Sequence, residues 1–297
     1  MDETSWLETY RGMVYRWEVD PVDHFTVAFY FARFEDATLA LLHAIGLDPE
    51  VLARAGEAAV TTECNVRYRR ELRVGDILHI RSGVTAADDD GIQVAHEVVD
   101  SGDGALCTSV DQKIVLVEAA SRKRRPLTPA QGQAALGRRV QPEAAPEGTP
   151  AAHPESDKGF IDSAADAIKP LEVNTSGEAG FAAYIHRFTA SNSQVLGAFG
   201  LTPEYCRREH RGFSTFDFRL RFLGALRAGD LVRVRSGLLH VGNSSIRILH
   251  RLTNVRTGEL VCTLEQAGVN LDLDARRPSP LPPEMRERAL GLLVSRG

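Results

Sequence analysis

The chain repeats itself. Moved along by 154 positions, residues 19–117 fall on residues 173–271 without a gap. Tyr30 meets Tyr184, Arg33-Phe34 meets Arg187-Phe188, and Gly46-Leu47-x-Pro49-Glu50 meets Gly200-Leu201-x-Pro203-Glu204. Further along, Leu72-Arg73-x-Gly75-Asp76 meets Leu226-Arg227-x-Gly229-Asp230, and Arg81-Ser82-Gly83 meets Arg235-Ser236-Gly237. His96 meets His250 and Gln112 meets Gln266. About a quarter of the pairs are identical, too many for unrelated segments of similar composition, so one structural unit is present twice.

Each copy reads the same way. A short strand (13–19; 168–173) leads through a turn into a long helix (26–45; 180–199). The first of these helices, VAFYFARFEDATLALLHAI, is apolar on nearly every face and must be buried on most sides. Gly46 and Gly200, each with a proline three residues on, stop the helices. Four β-rich runs follow at 59–71, 76–86, 91–100 and 105–118, with counterparts at 213–225, 230–240, 245–254 and 259–272. Gly75-Asp76, Asp90-Gly91 and Asp103-Gly104 punctuate them. Strand, long helix and four-stranded meander describe an antiparallel sheet curled round one helix. The expectation is an α+β chain with a tandem, or double, hot-dog fold. A lone copy leaves an open sheet edge and an exposed apolar face. The second copy is expected to cover them, giving an intrachain pseudo-dimer with one continuous sheet, either as a monomer or as a homodimer of such chains. Domain limits follow: 1–118, a Pro-, Ala- and Gly-rich linker at 119–167, and 168–297 ending in a short tail helix.

Composition narrows the function classes. A net charge of −5 gives no global pull toward nucleic acid. No apolar run approaches the ~20 residues needed to span a membrane, so no membrane role is expected. The start, MDETSWLETYRG, is acidic and lacks the apolar core of a signal peptide. Four widely spaced cysteines, without a CxxC pair, fit free thiols in a reducing cytoplasm better than a disulfide framework or metal site. No metal site is expected.

The chemistry concentrates at the entry to the first helix. Trp17-Glu-Val-Asp20-Pro-Val-Asp23-His24-Phe-Thr26 crowds two carboxylates and an imidazole against a helix N-terminus. Unpaired backbone N–H groups and the positive end of the helix dipole lie there. A carbonyl lodged at that point would have its developing oxyanion stabilised, one such donor contributing roughly 10²–10³ in rate. A carboxylate beside it can attack or activate water. Asp23 and Thr26 read foremost as helix caps. Asp20 lies too far upstream for an ordinary cap and reads as functional.

Asp20-Pro-x-x-His24-x-x-x-Ala28-x-Tyr30-x-x-x-Phe34-Glu35-x-Ala37 resembles the 4-hydroxybenzoyl-CoA thioesterase family. It is most similar to the branch of betainyl-CoA thioesterases and of the thioesterase domain fused to carnitine dehydrogenases, as are GDILHIRSG and GVNLDLDARRPSPLP. The resemblance covers both copies and implies hydrolysis of an acyl-CoA thioester, with the carboxylate at Asp20 as nucleophile or general base. It implies no cofactor beyond the CoA of the substrate. Two positions depart from the pattern Asp-x-x-Gly-His-x-Asn-x-x-x-Tyr: the glycine is Asp23 and the asparagine is Thr26. The second copy departs further, with Asn174 opposite Asp20 and Glu178 opposite His24. Asn174 cannot ionise, so copy two is read as mainly structural.

The candidate catalytic residues are therefore Asp20, His24, Asp23 and Thr26, with Glu35 and Glu178 as substitute acids. Val27, Tyr30, Tyr184 and Asn192 are candidates for the pocket lining. Arg67 and the run Arg122, Lys123, Arg124 are candidates for the CoA phosphates, each equally readable as solvated strand-end charge. His96 and His250 read as packing residues. Two other functions stay open: a non-catalytic protein that binds acyl-CoA, and an enoyl-CoA hydratase or dehydratase. The absence of a carboxylate from the second helix weighs against the latter. The acyl group, and whether it arrives on CoA or on a carrier protein, are left open.

Overall fold

The computed structural model describes residues 5–20, 23–143, 153–174 and 176–294, in two compact units, Met1–Pro146 and Glu147–Gly297. In the first, strand β1 (Leu7–Met13) passes through a 3-10 turn (Arg16–Glu18) into helix α1 (Val27–Ala44). A short helix α2 (Pro49–Arg54) follows, then strands β2 (Glu57–Tyr68), β3 (Ile77–Asp88), β4 (Gly91–Asp100), β5 (Leu106–Glu118) and β6 (Arg124–Arg125), and helix α3 (Pro129–Leu136). The second unit repeats this order: β7 (Ile161–Ala167), a 3-10 turn (Pro170–Glu172), α4 (Phe181–Ala198), α5 (Pro203–Glu209), β8 (Arg211–Phe222), β9 (Leu231–Val241), β10 (Ser245–Asn254), β11 (Leu260–Asp272), β12 (Arg277–Pro278) and α6 (Pro283–Gly291). Each unit is a hot dog, an antiparallel sheet against one long central helix.

Three expectations change in detail. The first strand of each copy lies upstream of 13–19 and 168–173, where a 3-10 turn stands instead. The strands do not form a simple meander, because β2 pairs with β5, giving the order β1-β3-β4-β5-β2 and, in the second unit, β7-β9-β10-β11-β8. The repeat also runs beyond 117: α3, in the segment read as linker, is the counterpart of α6 in the tail. Composition hid this, since Pro129, Gly132 and three alanines look like spacer while Leu127, Ala135 and Leu136 match Leu281, Ala289 and Leu290.

The chain must cross from β2 to β3 over the helix entry, and the repeated Leu-Arg-x-Gly-Asp carries that crossing. Leu72 O accepts from Phe25 N–H at 2.8 Å, Gly75 N–H donates to Val14 O at 3.0 Å, and Asp76 Oδ2 accepts from Arg73 N–H at 2.8 Å. Leu226, Gly229 and Asp230 make the matching bonds. Gly75 and Gly229 both stand at φ +89°, a conformation glycine adopts without strain. The repeated Arg-Ser-Gly sits inside β3 and β9. A Cβ on Gly83 would come within 2.4 Å of Val140, and one on Gly237 within 2.5 Å of Val294. The missing side chain lets the segment after α3, and after α6, run against the strand.

The serine of that triplet belongs to a polar line that crosses the whole sheet under the helix, one residue per strand. Thr9 and Ser82 hydroxyls are 2.6 Å apart, Ser82 Oγ is 2.6 Å from His96 Nδ1, and His96 Nε2 is 2.9 Å from Gln112 Oε1. Gln112 Nε2 donates to Thr61 Oγ1 at 2.6 Å. Ser163, Ser236, His250, Gln266 and Thr215 occupy the matching positions, with Ser163–Ser236 at 2.7 Å, Ser236–His250 at 2.6 Å and Gln266–Thr215 at 2.7 Å. His96 and His250 are fully buried, so the expected packing role is what the structure shows.

Burial favours the neutral imidazole and pushes His96 down to about 4 and His250 to about 3. The unfolded chain protonates them near pH 6.5 and the folded chain only below these values, so stability is fully present above about pH 6.5 and declines as pH falls. Each histidine is expected to remove roughly 2 kcal/mol between pH 7 and pH 5. Urea midpoints across that range check this, and a flat profile would show that the imidazoles are not buried as described.

Candidate active site

Asp20 closes a tight loop at the entry to α1. Its N–H donates to His24 O at 2.9 Å, and its Oδ1 accepts from His24 N–H at 2.9 Å. Asp23 N–H donates to Asp20 O at 3.0 Å, and Asp23 stands at φ +66°. This is the left-handed region, where a side chain costs roughly 1–2 kcal/mol and glycine nothing. His24 Nε2 lies 3.1 Å from Glu71 Oε1 on the crossing segment.

Capping is not how Asp23 and Thr26 act. Asp23 Oδ1 pairs outward with Arg16 at 2.8 Å. Thr26 holds the N-cap position, but its side chain makes no capping bond, and its own N–H donates to Glu18 O at 2.8 Å. The first-turn N–H groups of α1, beginning at Val27, are therefore left without a hydroxyl cap. Gly180 leaves α4 equally uncapped.

The second copy builds the same loop from different side chains. Asn174 N–H donates to Glu178 O at 2.8 Å, and Asn174 Oδ1 accepts from Ser176 N–H at 3.0 Å and Glu178 N–H at 3.2 Å. Gly177, at φ +78°, stands where Asp23 does. Asp20 and Asn174 thus share a loop-closing acceptor and differ only in charge.

Beneath each loop lies an ion pair that the sequence reading passed over. Arg33 donates to Glu18 Oε1 at 2.6 Å, and both side chains are buried. Arg187 donates to Glu172 Oε1 and Oε2 at 2.6 and 2.8 Å. The guanidinium holds Glu172 below the usual carboxylate range. The signal was the retained Arg-Phe of the helix, a charge kept twice inside an apolar stretch.

The remaining candidates separate. Tyr30 and Tyr184 are buried near the helix starts, Tyr30 against Phe25, Phe34 and Tyr68 and Tyr184 edge-on to Phe222. Burial raises the Tyr30 phenol well above its ordinary value, which suits a wall and not an acid. Arg67 is 3.6 Å from Asp111, so its charge is shared. Arg122, Lys123 and Arg124 lie at the opposite end of β5 from the helix entry, about 30 Å away within the first unit at ~3.3 Å per strand residue. Arg124 is paired with Asp90 at 2.5 Å. Asn192 takes the place of Thr38 over the polar line, and its Oδ1 is buried with no hydrogen-bond partner. Glu35 is half-buried on α1. Trp17, unflagged by sequence, is 71% exposed and stacks on Tyr15 beside the loop, with Leu171, 88% exposed, in its place in copy two. Among the described residues no cluster of His, Cys, Asp or Glu could hold a metal ion, and no helix is long and apolar enough to cross a membrane.

The sequence profile of the thioesterase-like superfamily matches residues 14–136 and again 168–289. The chain belongs to that superfamily. A betainyl-CoA thioesterase of Pseudomonas aeruginosa is 29% identical over 111 residues, 37% of this chain and 70% of that protein. An L-carnitine dehydrogenase/betainyl-CoA thioesterase of Agrobacterium fabrum is 30% identical over 112 residues, 38% of this chain and 23% of that protein. Among solved structures, an acyl-ACP thioesterase from Bacteroides thetaiotaomicron superposes with a TM-score of 0.70 at 13% identity, covering 90% of this chain and 99% of the other. The 12:0-ACP thioesterase from Umbellularia californica gives 0.69 at 13%, covering 90% and 94%. These likenesses establish the double hot-dog fold, and the superfamily makes the chain a thioester hydrolase.

In this thioesterase Asp23 is, among the described residues, one of four non-glycine residues, with Arg122, His210 and Arg276, held in the left-handed region. Asp23→Gly is expected to relieve the left-handed strain, with a net gain of about 0.5 kcal/mol after the extra entropy of glycine in the unfolded chain. The exposed Arg16 pair contributes little. Chemical denaturation measures it, and a loss of more than 1 kcal/mol would show that Arg16–Asp23 holds the loop.

Proposed function

We propose that the chain hydrolyses a small or medium acyl-CoA thioester, with Asp20 as the nucleophile or general base. The observation that carries this reading is the Asp20/Asn174 pair. Both close the same loop through the same acceptor atom, so the loop needs an oxygen and not a charge. That the second copy closes the loop with a neutral amide supports a chemical role for the carboxylate of Asp20. The uncapped first turn of α1 supports the reading, since Val27 and its neighbour can present N–H groups to a thioester oxygen. His24, fixed between Asp20 and Glu71, positions the loop, and Tyr30 is assigned to the pocket wall. CoA is favoured over a carrier protein because the relatives near 30% identity are named for a CoA thioester.

The same geometry makes the test clean. Asp20→Asn reproduces the Asn174 arrangement and should leave the unfolding midpoint nearly unchanged while thioester hydrolysis falls at least ~100-fold. Asp20→Ala should lose the same activity and about 1 kcal/mol of stability besides, through the missing loop acceptor. Release of free CoA thiol from a panel of acyl-CoA esters reads the activity. A wild type that binds CoA esters and cleaves none would establish a binding protein. Full activity in Asp20→Asn would move the chemistry to Glu35.

A further inference from the structure

The segment that crosses from β2 to β3 holds both helix entries by the same backbone bonds, yet the copies differ in one of its side chains. Phe25 N–H donates to Leu72 O at 2.8 Å, and Ala179 N–H donates to Leu226 O at 2.8 Å. Just before this leucine stands Glu71 in the first copy and Ala225 in the second. The second copy thus makes the same backbone bonds with a methyl group where the first carries a carboxylate.

The Glu71 carboxylate is half-buried and turned toward the Asp20 loop. Its Oε1 lies 3.1 Å from His24 Nε2, and its Oε2 accepts from Arg73 at 3.3 Å. An ionised carboxylate only accepts, so the imidazole carries a proton on Nε2 and donates it to Glu71. His24 in turn holds Asp20, because its N–H donates to Asp20 Oδ1 at 2.9 Å and its carbonyl accepts from Asp20 N–H at 2.9 Å. A line of contacts therefore runs from the crossing segment, through one imidazole and one peptide group, to the carboxylate assigned to the chemistry.

The second copy changes every side chain of that line. Asn174 stands for Asp20, Glu178 for His24 and Ala225 for Glu71. Its loop still meets the crossing segment, through a backbone bridge between Glu178 and Arg227. Two of these positions lie within one loop and the third some fifty residues further along, and they converge at one place. Holding the loop in shape does not account for their changing together, since the second loop keeps its shape. Aiming the carboxylate does.

We propose that Glu71 is a positioning residue for thioester hydrolysis: through His24 it fixes the peptide group that aims the Asp20 carboxylate. The proposal rests on the reading of Asp20 as nucleophile or general base. A reacting group has to be held within about 0.5 Å of its productive place. A displacement of about 1 Å costs on the order of 100-fold in rate. A loosened imidazole leaves the loop closed and shifts the carboxylate by less than that, so the loss expected without Glu71 is smaller than the loss without the Asp20 charge.

Glu71→Ala gives the first copy the side chain of the second. With the acyl-CoA ester that the wild type cleaves fastest, kcat should fall ~10-fold while KM stays within about 2-fold. Glu71→Gln keeps an acceptor for the imidazole N–H and should bring kcat back to within about 3-fold of wild type. In the Asp20→Asn background, Glu71→Ala should change the residual rate by less than about 2-fold, because the group being aimed is no longer a base or nucleophile. His24→Ala with Glu71→Ala should be no slower than His24→Ala alone. Glu71→Ser, too short to reach the imidazole, serves if Glu71→Ala does not fold. Wild-type kcat in Glu71→Ala overturns this proposal and leaves the reading of Asp20 standing. So does failure of Glu71→Gln to restore the rate, or an equal loss from Glu71→Ala with and without the Asp20 charge. Full activity in Asp20→Asn overturns both.

Discussion

Everything near the loop of Asp20 hangs on a carboxylate–guanidinium pair buried beneath it. Glu18 ends the 3-10 turn that precedes the loop, and Arg33 sits two turns into the central helix; their contact fixes where the loop begins relative to the helix axis. Desolvating two charges costs several kcal/mol per ion, and the attraction offsets this only when hydrogen bonds meet the remaining atoms. Here they largely do. Glu18 Oε2 also accepts from Tyr15 N–H at 3.0 Å, and Arg33 also reaches Phe29 O at 3.3 Å. The pair recurs as Glu172–Arg187, where the carbonyls of Ala183 and Ala167 take two further guanidinium hydrogens and Nε is left without a partner. A buried pair is poor evidence for stability but a good device for setting geometry, and retention in both copies fits the second role.

That constraint explains why one loop shape tolerates such different side chains. Once the 3-10 turn and the helix are tied together, the chain that joins them needs an acceptor at the Asp20 position and a left-handed residue at the Asp23 position. Asn174 and Gly177 meet both demands in the ordinary way. Asp20 meets the first with a carboxylate where Asn174 uses an amide, and Asp23 meets the second against its preference. Departures from local preference that packing over-determines are where function is to be sought.

Much of this was legible in the sequence, and the parts that were not have physical reasons. The repeat located both central helices and eight strands to within a few residues, because glycines, prolines and apolar periodicity speak locally. Strand order was not legible: nothing in residues 57–68 says that β2 pairs with β5. The repeated Leu-Arg-x-Gly-Asp was read as a turn, when it is a crossing that must touch the helix entry. Helix α3 was missed because its buried side consists of small residues such as Ala135, which carry little hydrophobic signal. At the site, sequence singled out Asp20, but the opposition of Asp20 and Asn174 looked like loss of function in one copy until the shared hydrogen bond showed that one scaffold accepts either. Arg122, Lys123 and Arg124 are candidates for the CoA phosphates by charge and by their place after the last strand of copy one, and the strand's length sets them far from the helix entry within the first unit.

Duplication also gives the molecule an internal control that a single hot dog lacks. Where the copies agree, as in the five-residue polar line through His96 and through His250, the feature belongs to the scaffold. The line places one hydrogen-bonding group on every strand beneath the helix, and a one-residue slip of any strand would turn that group to the other face and leave its neighbours unpaired. It therefore reinforces the register that the alternating apolar residues of the strands also set. Where the copies disagree, each shows what the other could have been. Tyr10 and Ala164 share a register position above equivalent buried arginines, Arg33 and Arg187, and only the first copy sets aromatic rings over its arginine.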